Sequence, residues 1–255
     1  MGAAVECWMR RYGLALLLTS GIATGAHGTQ LATASYRGVP IDIVRFDPRV
    51  VDLRLVWKNA TGSGYRTFES AGVAAVNKGE RAIAITNAGI FGESSDKTLY
   101  PIGLHIEDGK LLHPLNLSSG TGNFYLKPNG VFFLDAARQP HIKDSSAITS
   151  TDKMLLATQS GPLLLHNRTP HPSFDEKSAN TKVRSAIAVC GSEVVVAVTR
   201  NGISFWDFAI FLRDQQHCQD ALYLDGTISR LHAPGLGLTQ NAGPFAGMLV
   251  VVDKP

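Results

Sequence analysis

The amino-acid sequence predicts a single domain built mostly of antiparallel or mixed β-sheet, with a few packed helices. Short apolar or alternating segments recur along the chain, and several flank Asp-Gly or Asn-Gly pairs, the strongest short signals of a β-hairpin. Two segments carry apolar residues at helical spacing. The 255 residues contain no internal repeat and no Pro/Ser-rich linker, so one domain accounts for the chain.

The first 28 residues have the pattern of an export signal. Two arginines precede a mostly apolar stretch over residues 13–26, and small residues at its end offer cleavage sites. The stretch is short for a membrane span, although an uncleaved N-terminal anchor is the alternative. We therefore predict a signal peptide over residues 1–28, a domain over residues 29–255, and a periplasmic or secreted protein without a stable membrane span after cleavage.

The N-terminal half alternates predicted strands with one helix. Residues 36–58 alternate apolar and polar side chains around an Asp-Pro pair, which predicts a hairpin-like pair of half-buried strands. Residues 67–78 predict a short helix that ends at Gly79. Residues 81–86 predict a buried strand, and the polar residue Asn87 follows it.

Two hairpins are predicted in the middle of the chain. Residues 103–113 surround an Asp-Gly pair, and residues 123–134 surround the sequence Lys-Pro-Asn-Gly. The apolar residues 155–165 are interrupted by Gln159-Ser160-Gly161-Pro162, which predicts an irregular break rather than a strand interior.

The C-terminal part contains the clearest helix. Residues 183–189 and 194–199 predict a hairpin, and residues 204–216 predict a helix with Ser204 as its N-cap. The four apolar residues 221–224 then predict a short strand buried on both faces.

Cysteine usage agrees with export. Cys7 lies in the predicted signal and leaves the pair Cys190 and Cys218, which predicts a disulfide in an oxidising compartment. The loop would span about 29 residues, and its closure is worth about 3–4 kcal/mol in the chain-entropy account. The alternative is two separate buried thiols.

Composition and motifs exclude several functions. The net charge of +3 is spread evenly, without a basic run, so no nucleic-acid partner is predicted. The sequence has no nucleophile elbow, no zinc-type histidine spacing and no nucleotide-binding glycine pattern. Serine hydrolysis, a metal site and a bound cofactor are therefore not predicted.

Polar residues at the ends of two buried strands predict a shared site. Asp225 and Gly226 follow the last strand, and Asn87 follows an earlier one in the same way. Ser229 and Arg230 add a hydroxyl and a fork of donors nearby. A carboxylate at the mouth of a buried strand is partly desolvated and needs a partner or a function, although an ordinary Asp-Gly turn is the alternative.

Four motifs in order resemble the phosphodiester glycosidase family. They are Asn87-Ala88-Gly89-Ile90-Phe91, Gln159-Ser160-Gly161-Pro162, Arg184-Ser185-Ala186-Ile187 and Leu222-Tyr223-Leu224-Asp225-Gly226. The resemblance covers roughly residues 65–252 and is closest to the bacterial exported branch, in which His171-Pro172 also recurs. It implies a mixed α+β fold and hydrolysis at a sugar–phosphate bond.

The residues suggest how such a bond could be broken. Ordinary glycosidases use two carboxylates, but a phosphomonoester leaving group has a second pKa of about 6 and departs with little protonation. One carboxylate and one arginine therefore suffice. We assign Asp225 as nucleophile or base at the anomeric carbon, Arg184 as a bidentate clamp on the phosphate, and Asn87 as a ligand of a sugar hydroxyl or the phosphate. The remaining candidates for substrate binding are Gly89, Phe91, Ser160, Gly161, Gly226, Ser229, Arg230 and His171.

Alternatives remain open at this point. Arg184 and Asp225 could form a structural ion pair, and a second catalytic carboxylate could be Glu69, Asp207, Glu193 or none. The expected partner is a small-molecule or glycan phosphodiester. The rival interpretations are a non-catalytic periplasmic phosphosugar- or glycan-binding protein and a structural envelope protein.

Overall fold

The computed structural model describes residues 23–24 and 28–253, so the predicted signal lies almost wholly outside the described residues. The described part contains two α-helices, α1 (Phe68–Ala75) and α2 (Phe205–Asp214). Its strands are β1 (Ala23–Thr24), β2 (Gln30–Tyr36), β3 (Val39–Phe46), β4 (Asp52–Val56), β5 (Arg81–Asn87), β6 (Phe91–Glu93), β7 (Leu99–Pro101), β8 (His105–Glu107), β9 (Lys110–His113), β10 (Gly130–Asp135), β11 (Pro140–Asp144), β12 (Met154–Ser160), β13 (Leu163–His166), β14 (Thr169–Pro170), β15 (Ser185–Cys190), β16 (Glu193–Thr199), β17 (Asp220–Asp225), β18 (Leu231–His232) and β19 (Met248–Asp253).

Three main sheets and a two-stranded ribbon make up the fold. The largest sheet has eight strands in the order β1-β2-β3-β16-β15-β17-β13-β14. A five-stranded sheet runs β11-β10-β12-β8-β9, a four-stranded sheet runs β18-β5-β19-β4, and β6 pairs with β7. Every strand pair in these sheets is antiparallel. The prediction of a mostly antiparallel β domain with a few helices is therefore confirmed.

The central strands of the eight-stranded sheet are buried on both faces. One face contributes Ile187 and Leu222 to a core shared with the two smaller main sheets. The opposite face is covered by the apolar stripe of α2, whose Phe208 and Leu212 pack in one cluster with Ala188. This double burial explains why β15, β16 and β17 are almost continuously apolar.

Both predicted helices are present, and both are shorter than expected. The Thr67 side chain caps α1 by accepting a hydrogen bond from the Ser70 amide, and Ser204 caps α2 through the Asp207 amide. Helix α1 ends at Ala75 because Val76 is already extended.

The predicted pairing within residues 36–58 is wrong. Both strands exist, but β3 pairs with β2 and β16, whereas β4 joins the four-stranded sheet beside β19. Strand β2, which sequence reasoning missed, turns into β3 through Arg37 and Gly38, both with positive φ. An Arg-Gly turn lacks the Asn-Gly or Asp-Gly signal by which such hairpins are recognised.

The predicted hairpin over residues 123–134 is also wrong in its first half. Residues Asn123–Tyr125 form a 3-10 turn, and β10 pairs instead with β11 and β12. The buried Asn129 side chain donates to the Phe124 carbonyl at 2.6 Å and holds this turn against the sheet. Asn129 therefore stabilises a loop rather than a two-residue hairpin turn.

The other expected hairpins are found, and the predicted break is confirmed only at Gly161-Pro162, because Gln159 and Ser160 belong to β12. Strands β8 and β9 pair around Asp108-Gly109, and β15 pairs with β16 around Gly191. The interruption at Gly161-Pro162 separates β12 of the five-stranded sheet from β13 of the eight-stranded sheet. Within the described residues, no helix has the length and apolar character needed to cross a membrane.

The predicted disulfide is present between Cys190 and Cys218. Cys190 ends β15, and Cys218 lies between α2 and β17. The bond therefore joins neighbouring parts of the eight-stranded sheet at the end of β15 opposite Arg184.

The disulfide should contribute measurably to stability. Replacing Cys218 by Ser (Cys218→Ser) should lower the free energy of unfolding by about 2–5 kcal/mol, because the unfolded chain is no longer restrained by a closed loop. Urea unfolding with and without a reductant measures this. Reductant should shift the wild-type midpoint and leave the variant midpoint unchanged; an unchanged wild-type midpoint would contradict the prediction.

Candidate functional site

A cleft of about 520 Å³ opens where β15 begins and β17 ends, beside the first residue of α2. Its walls combine an apolar side with several polar groups. The lining residues are Ile90, Phe91, Asn123, Asn180, Lys182, Arg184, Phe205, Tyr223, Asp225, Gly226, Thr227 and Ile228.

Asp225 lies at the end of β17, where the pairing with β15 is irregular. Ala186 pairs with Tyr223 and Ser185 pairs with Asp225, so Leu224 is an extra residue that forms a β-bulge. The Gly226 amide donates to the Asp225 carboxylate at 2.6 Å. Burial nevertheless raises the pKa of Asp225 to about 6, and the Gly226 hydrogen bond opposes this only in part.

Arg184 is almost completely buried, with 1% of its surface exposed. Its Nε donates to the Ile203 carbonyl at 2.7 Å, and one Nη donates to the Asn180 carbonyl at 3.0 Å. The guanidinium lies over the Phe205 ring, 3.7 Å from its centroid. Burial lowers the pKa of Arg184 from its ordinary value.

Arg184 has no acidic partner among the described residues. The alternative of a structural ion pair between Arg184 and Asp225 is therefore wrong. A buried cation without a counter-ion is costly unless an anion compensates it. The site is thus electrostatically suited to an anionic ligand.

Asn87 lies behind the cleft and does not line it. Its amide donates to Ser185 Oγ at 3.0 Å, and its carbonyl oxygen accepts from the Arg230 amide at 3.3 Å. Ser185 Oγ in turn contacts Ser229 Oγ at 2.8 Å. This buried network fixes the loop 226–230 that follows Asp225, so Asn87 positions the loop rather than facing the cleft.

The other two glycine-containing motifs support the cleft floor. Ser160 Oγ accepts from the Ile90 amide at 3.2 Å and donates to the Leu224 carbonyl at 3.0 Å. Gly89 packs so closely against the Gln159 carbonyl that a side chain cannot fit, and a Cβ on Gly161 would lie 2.6 Å from that of Asn129. Of the substrate-binding candidates, Phe91 and Gly226 line the cleft, whereas Gly89, Ser160 and Gly161 do not line it.

Three further candidates lie outside the cleft. Ser229 and Arg230 line a neighbouring groove, where the Arg230 guanidinium donates to the Thr227 and Ser229 carbonyls. His171 is buried, its ring stacks on Phe174, and burial lowers its pKa. Phe174 in turn stacks on Phe205, so His171 reaches the site only through two aromatic rings.

The possible second carboxylates are also elsewhere. Asp207 pairs with Arg37, and Glu193 pairs with Arg45. Glu69 is exposed and accepts from Asn241. Asp225 is therefore the one carboxylate among the described residues that line the cleft.

Sequence reasoning missed several cleft residues. Tyr223 precedes Asp225 by two positions, and alternation along a strand places both on one face, so this signal was available. Phe205 is the first residue of α2, and its ring forms a wall of the cleft. Asn123, Asn180 and Lys182 lie in irregular segments, where no periodic pattern identifies them.

The cleft thus presents one carboxylate, one buried and one exposed cation, and a phenol. With Asp225 ionised, the lining side chains carry a net positive charge, since Lys182 and Arg184 outnumber it. No group of three His, Cys, Asp or Glu side chains that could hold a metal ion occurs in the described part of the chain. The arrangement can bind an anion and present a carboxylate to it.

Comparison with known proteins identifies relatives of this chain. Residues 80–233 match the phosphodiester glycosidase family. The uncharacterized protein YigE of Escherichia coli is 29% identical over 247 residues, which cover 96% of this chain and 94% of that protein.

Two solved structures show the same fold. The catalytic domain of zebrafish N-acetylglucosamine-1-phosphodiester alpha-N-acetylglucosaminidase, auto-inhibited by its pro-peptide, has a TM-score of 0.60 at 14% identity and covers 90% of this chain and 83% of that one. A proposed exported protein of Burkholderia pseudomallei has a TM-score of 0.56 at 14% identity and covers 88% and 76%. The family match spans more than half of the residues, and it contains Asn87, Arg184 and Asp225. This chain belongs to the phosphodiester glycosidase family.

Proposed function

We propose that the protein is an exported hydrolase that cleaves the glycosidic bond of a sugar-1-phosphodiester. The observation that carries the proposal is the buried Arg184, which has no acidic partner among the residues that the structure describes and shares one cleft with Asp225. Family membership supports the reaction class. The disulfide supports an oxidising location, in the periplasm or outside the cell.

Arg184 is suited to hold the phosphate. Two of its five N–H donors are used on the Ile203 and Asn180 carbonyls, which fixes the plane of the guanidinium. Stacking on Phe205 holds that plane from the face. A rigid, planar donor can bind a phosphate through two oxygens and stabilise the charge that develops as the phosphomonoester leaves.

Asp225 is suited to act at the anomeric carbon as nucleophile or base. Its carboxylate is desolvated, which makes it more reactive than an exposed carboxylate, and its pKa of about 6 leaves it mostly ionised at neutral pH. The Gly226 amide holds one of its oxygens and so fixes its direction. As nucleophile, Asp225 bonds to C1 while the C1–O bond breaks and the phosphomonoester leaves with the electron pair, and water then hydrolyses the glycosyl ester. As base, Asp225 takes the proton of a water whose oxygen bonds to C1 in the same displacement.

The substrate can be sought among sugar 1-phosphodiesters. The name of the zebrafish relative points to N-acetylglucosamine 1-phosphodiesters as the first compounds to test. Methyl phosphodiesters of N-acetylglucosamine, glucose and mannose 1-phosphates, in both anomeric forms, make a suitable panel. Release of free sugar from at least one of these compounds supports the proposal. Binding without release would favour a phosphosugar-binding protein. Absence of both binding and release would favour a structural envelope protein.

Asp225→Asn should reduce turnover by at least about 100-fold, the low end for loss of a catalytic acid or base. Binding of the diester should survive or tighten, because one negative charge near the phosphate is removed. Asp220→Asn, at the other end of β17, is the matched control, since its carboxylate pairs with His166 outside the cleft. Near wild-type turnover by a folded Asp225→Asn variant would refute the assignment.

The same variant should be more stable than the wild type at neutral pH. The pKa of Asp225 lies above that of an unfolded chain, so its ionisation costs the folded state stability as pH rises from about 4 through about 6. Removing it should raise the free energy of unfolding at pH 8 by as much as about 3 kcal/mol and change little at pH 4. Urea unfolding at both pH values measures this, and a loss of stability at pH 8 would indicate a structural role instead.

Activity should depend on pH through Asp225. If the carboxylate is the reactive form, kcat/KM should rise as pH increases through about 6 and then level off. Initial rates between pH 4 and 9 measure this rise of kcat/KM with pH. A rate that falls as pH rises through about 6 would assign Asp225 as an acid rather than a nucleophile or base.

Arg184→Lys should weaken both binding and turnover by at least about tenfold. The substitution keeps the positive charge but loses the donor fork and the flat stack on Phe205. The loss of affinity should be larger for ligands that carry a phosphate than for free sugars. Calorimetric titration and initial rates measure it, with the exposed Arg168→Lys as control; equal losses for both classes of ligand would contradict the phosphate role.

A further inference from the structure

Tyr223 places a buried phenol at the centre of the candidate site. Only 1% of its surface is exposed, yet it lines the cleft together with Arg184 and Asp225. The Phe205 ring, which lies under the Arg184 guanidinium, also packs edge-on against the Tyr223 ring at 4.8 Å. One aromatic residue therefore fixes both the cation and the phenol.

The position of the hydroxyl group is set by the loop after Asp225. A Cβ added to Gly226 would lie 2.6 Å from the Tyr223 hydroxyl oxygen, whereas the other atoms near it are 3.9 Å away or more. The hydroxyl therefore lies directly against the backbone that carries Asp225. Gly226 is required here by this close approach, since its φ is not positive.

The hydroxyl is a donor that keeps its proton. Burial raises the pKa of Tyr223 to about 12, Asp225 adds to the increase, and Arg184 and Asn123 oppose it. A phosphomonoester has a second pKa of about 6, so a phenol of this kind does not transfer its proton to the leaving group. It can donate a hydrogen bond to it, and such a bond to a charged acceptor is strong.

Two observations argue against a role through Asp225. Burial alone raises the pKa of Asp225, the Gly226 amide opposes this increase, and no hydrogen bond joins Tyr223 to Asp225 among the described residues. The phenol instead lies near the cation, with the Arg184 guanidinium carbon 5.6 Å from its ring centroid. The donor is therefore available to a ligand held by Arg184.

We propose that the Tyr223 hydroxyl donates a hydrogen bond to the phosphate group beside Arg184 and stabilises it as it leaves the sugar. The proposal rests on the proposed function for the leaving step. It assigns a neutral donor to the role that a second carboxylic acid has in ordinary glycosidases. Tyr223 transfers no proton: a bond forms at C1 from Asp225 or from a water that Asp225 deprotonates, the C1–O bond breaks, and the phosphomonoester leaves with the electron pair.

Binding of inorganic phosphate tests the contact without requiring turnover. Calorimetric titration of the wild type should detect binding, Tyr223→Phe should weaken it by at least about tenfold, and Tyr36→Phe, a ring outside the cleft, should not change it. Equal affinity of wild type and Tyr223→Phe would overturn the proposal. Wild-type protein that binds no phosphate would overturn it as well.

Turnover separates a donor from a positioning residue. On a diester that the wild type cleaves, Tyr223→Phe should lose about 100-fold in kcat at every pH, because the phenol stays protonated throughout. The rise of kcat/KM with pH should keep its apparent pKa near 6 in the variant. A changed apparent pKa would mean that Tyr223 acts through Asp225 and would overturn the proposal. If the wild type cleaves no diester, the proposed function fails, while the phosphate titration still decides whether Tyr223 contacts phosphate.

A double-mutant cycle of Gly226→Ala with Tyr223→Phe checks the geometry through phosphate binding alone, and the Gly226→Ala single variant tests the close approach even where Tyr223→Phe does not fold. The added methyl group collides with the hydroxyl oxygen in the wild type but meets only atoms at ordinary contact distance once that oxygen is absent. Gly226→Ala should therefore weaken phosphate binding in the wild type by about tenfold and cost little in the Tyr223→Phe background. Equal losses in both backgrounds would show that Gly226 does not act through the hydroxyl and would overturn the proposal.

Discussion

The antiparallel pairing of β15 with β17 is the constraint on which the site depends. Ser185 pairs with Asp225 across a bulge at Leu224, and both Tyr223 and Asp225 line the cleft while Leu224 stays in the core. The residue before β15 is Arg184, so one end of this strand pair carries the buried cation and the carboxylate together. The other end is closed by the Cys190–Cys218 disulfide. The pair is thus fixed at one end and functional at the other.

Burial of charge without direct pairing distinguishes this cleft from an ordinary ion-pair network. Arg54 and Arg200 neutralise Asp52 and Asp42 by direct contact, and the second pair joins the residue after β16 to β3. Arg184 has carbonyl and aromatic partners instead, so its charge is held in place but not neutralised. Asp225 likewise retains a desolvated carboxyl group. Such unfavourable burial is typical of functional sites, where a ligand completes the electrostatics.

The buried polar network around Asn87 explains how a loop can carry a reactive group accurately. Asn87, Ser185 and Ser229 join three separate parts of the chain through hydrogen bonds in a setting without solvent. In such surroundings an unpaired polar group is costly, so the network favours one loop conformation. Asn87, which the sequence analysis assigned to ligand binding, therefore supports the loop that follows Asp225.

Local sequence patterns were sufficient to predict the strands β5, β15, β16 and β17, the helices α1 and α2, the Asp108-Gly109 hairpin and the disulfide. Periodicity, caps and turn residues act over a few positions and can be identified directly. The sequence also predicted that Arg184 and Asp225 belong to one site, because charged residues at the ends of buried strands differ from their apolar neighbours, and both residues line the cleft. The partner of β3 is known only from the folded chain, in which β3 pairs with β2 rather than with β4. The same holds for the cleft, which Tyr223, Phe205 and Lys182 line and behind which Asn87 lies. Strand partners are selected by burial and packing between segments far apart in the chain, and no local pattern encodes that choice.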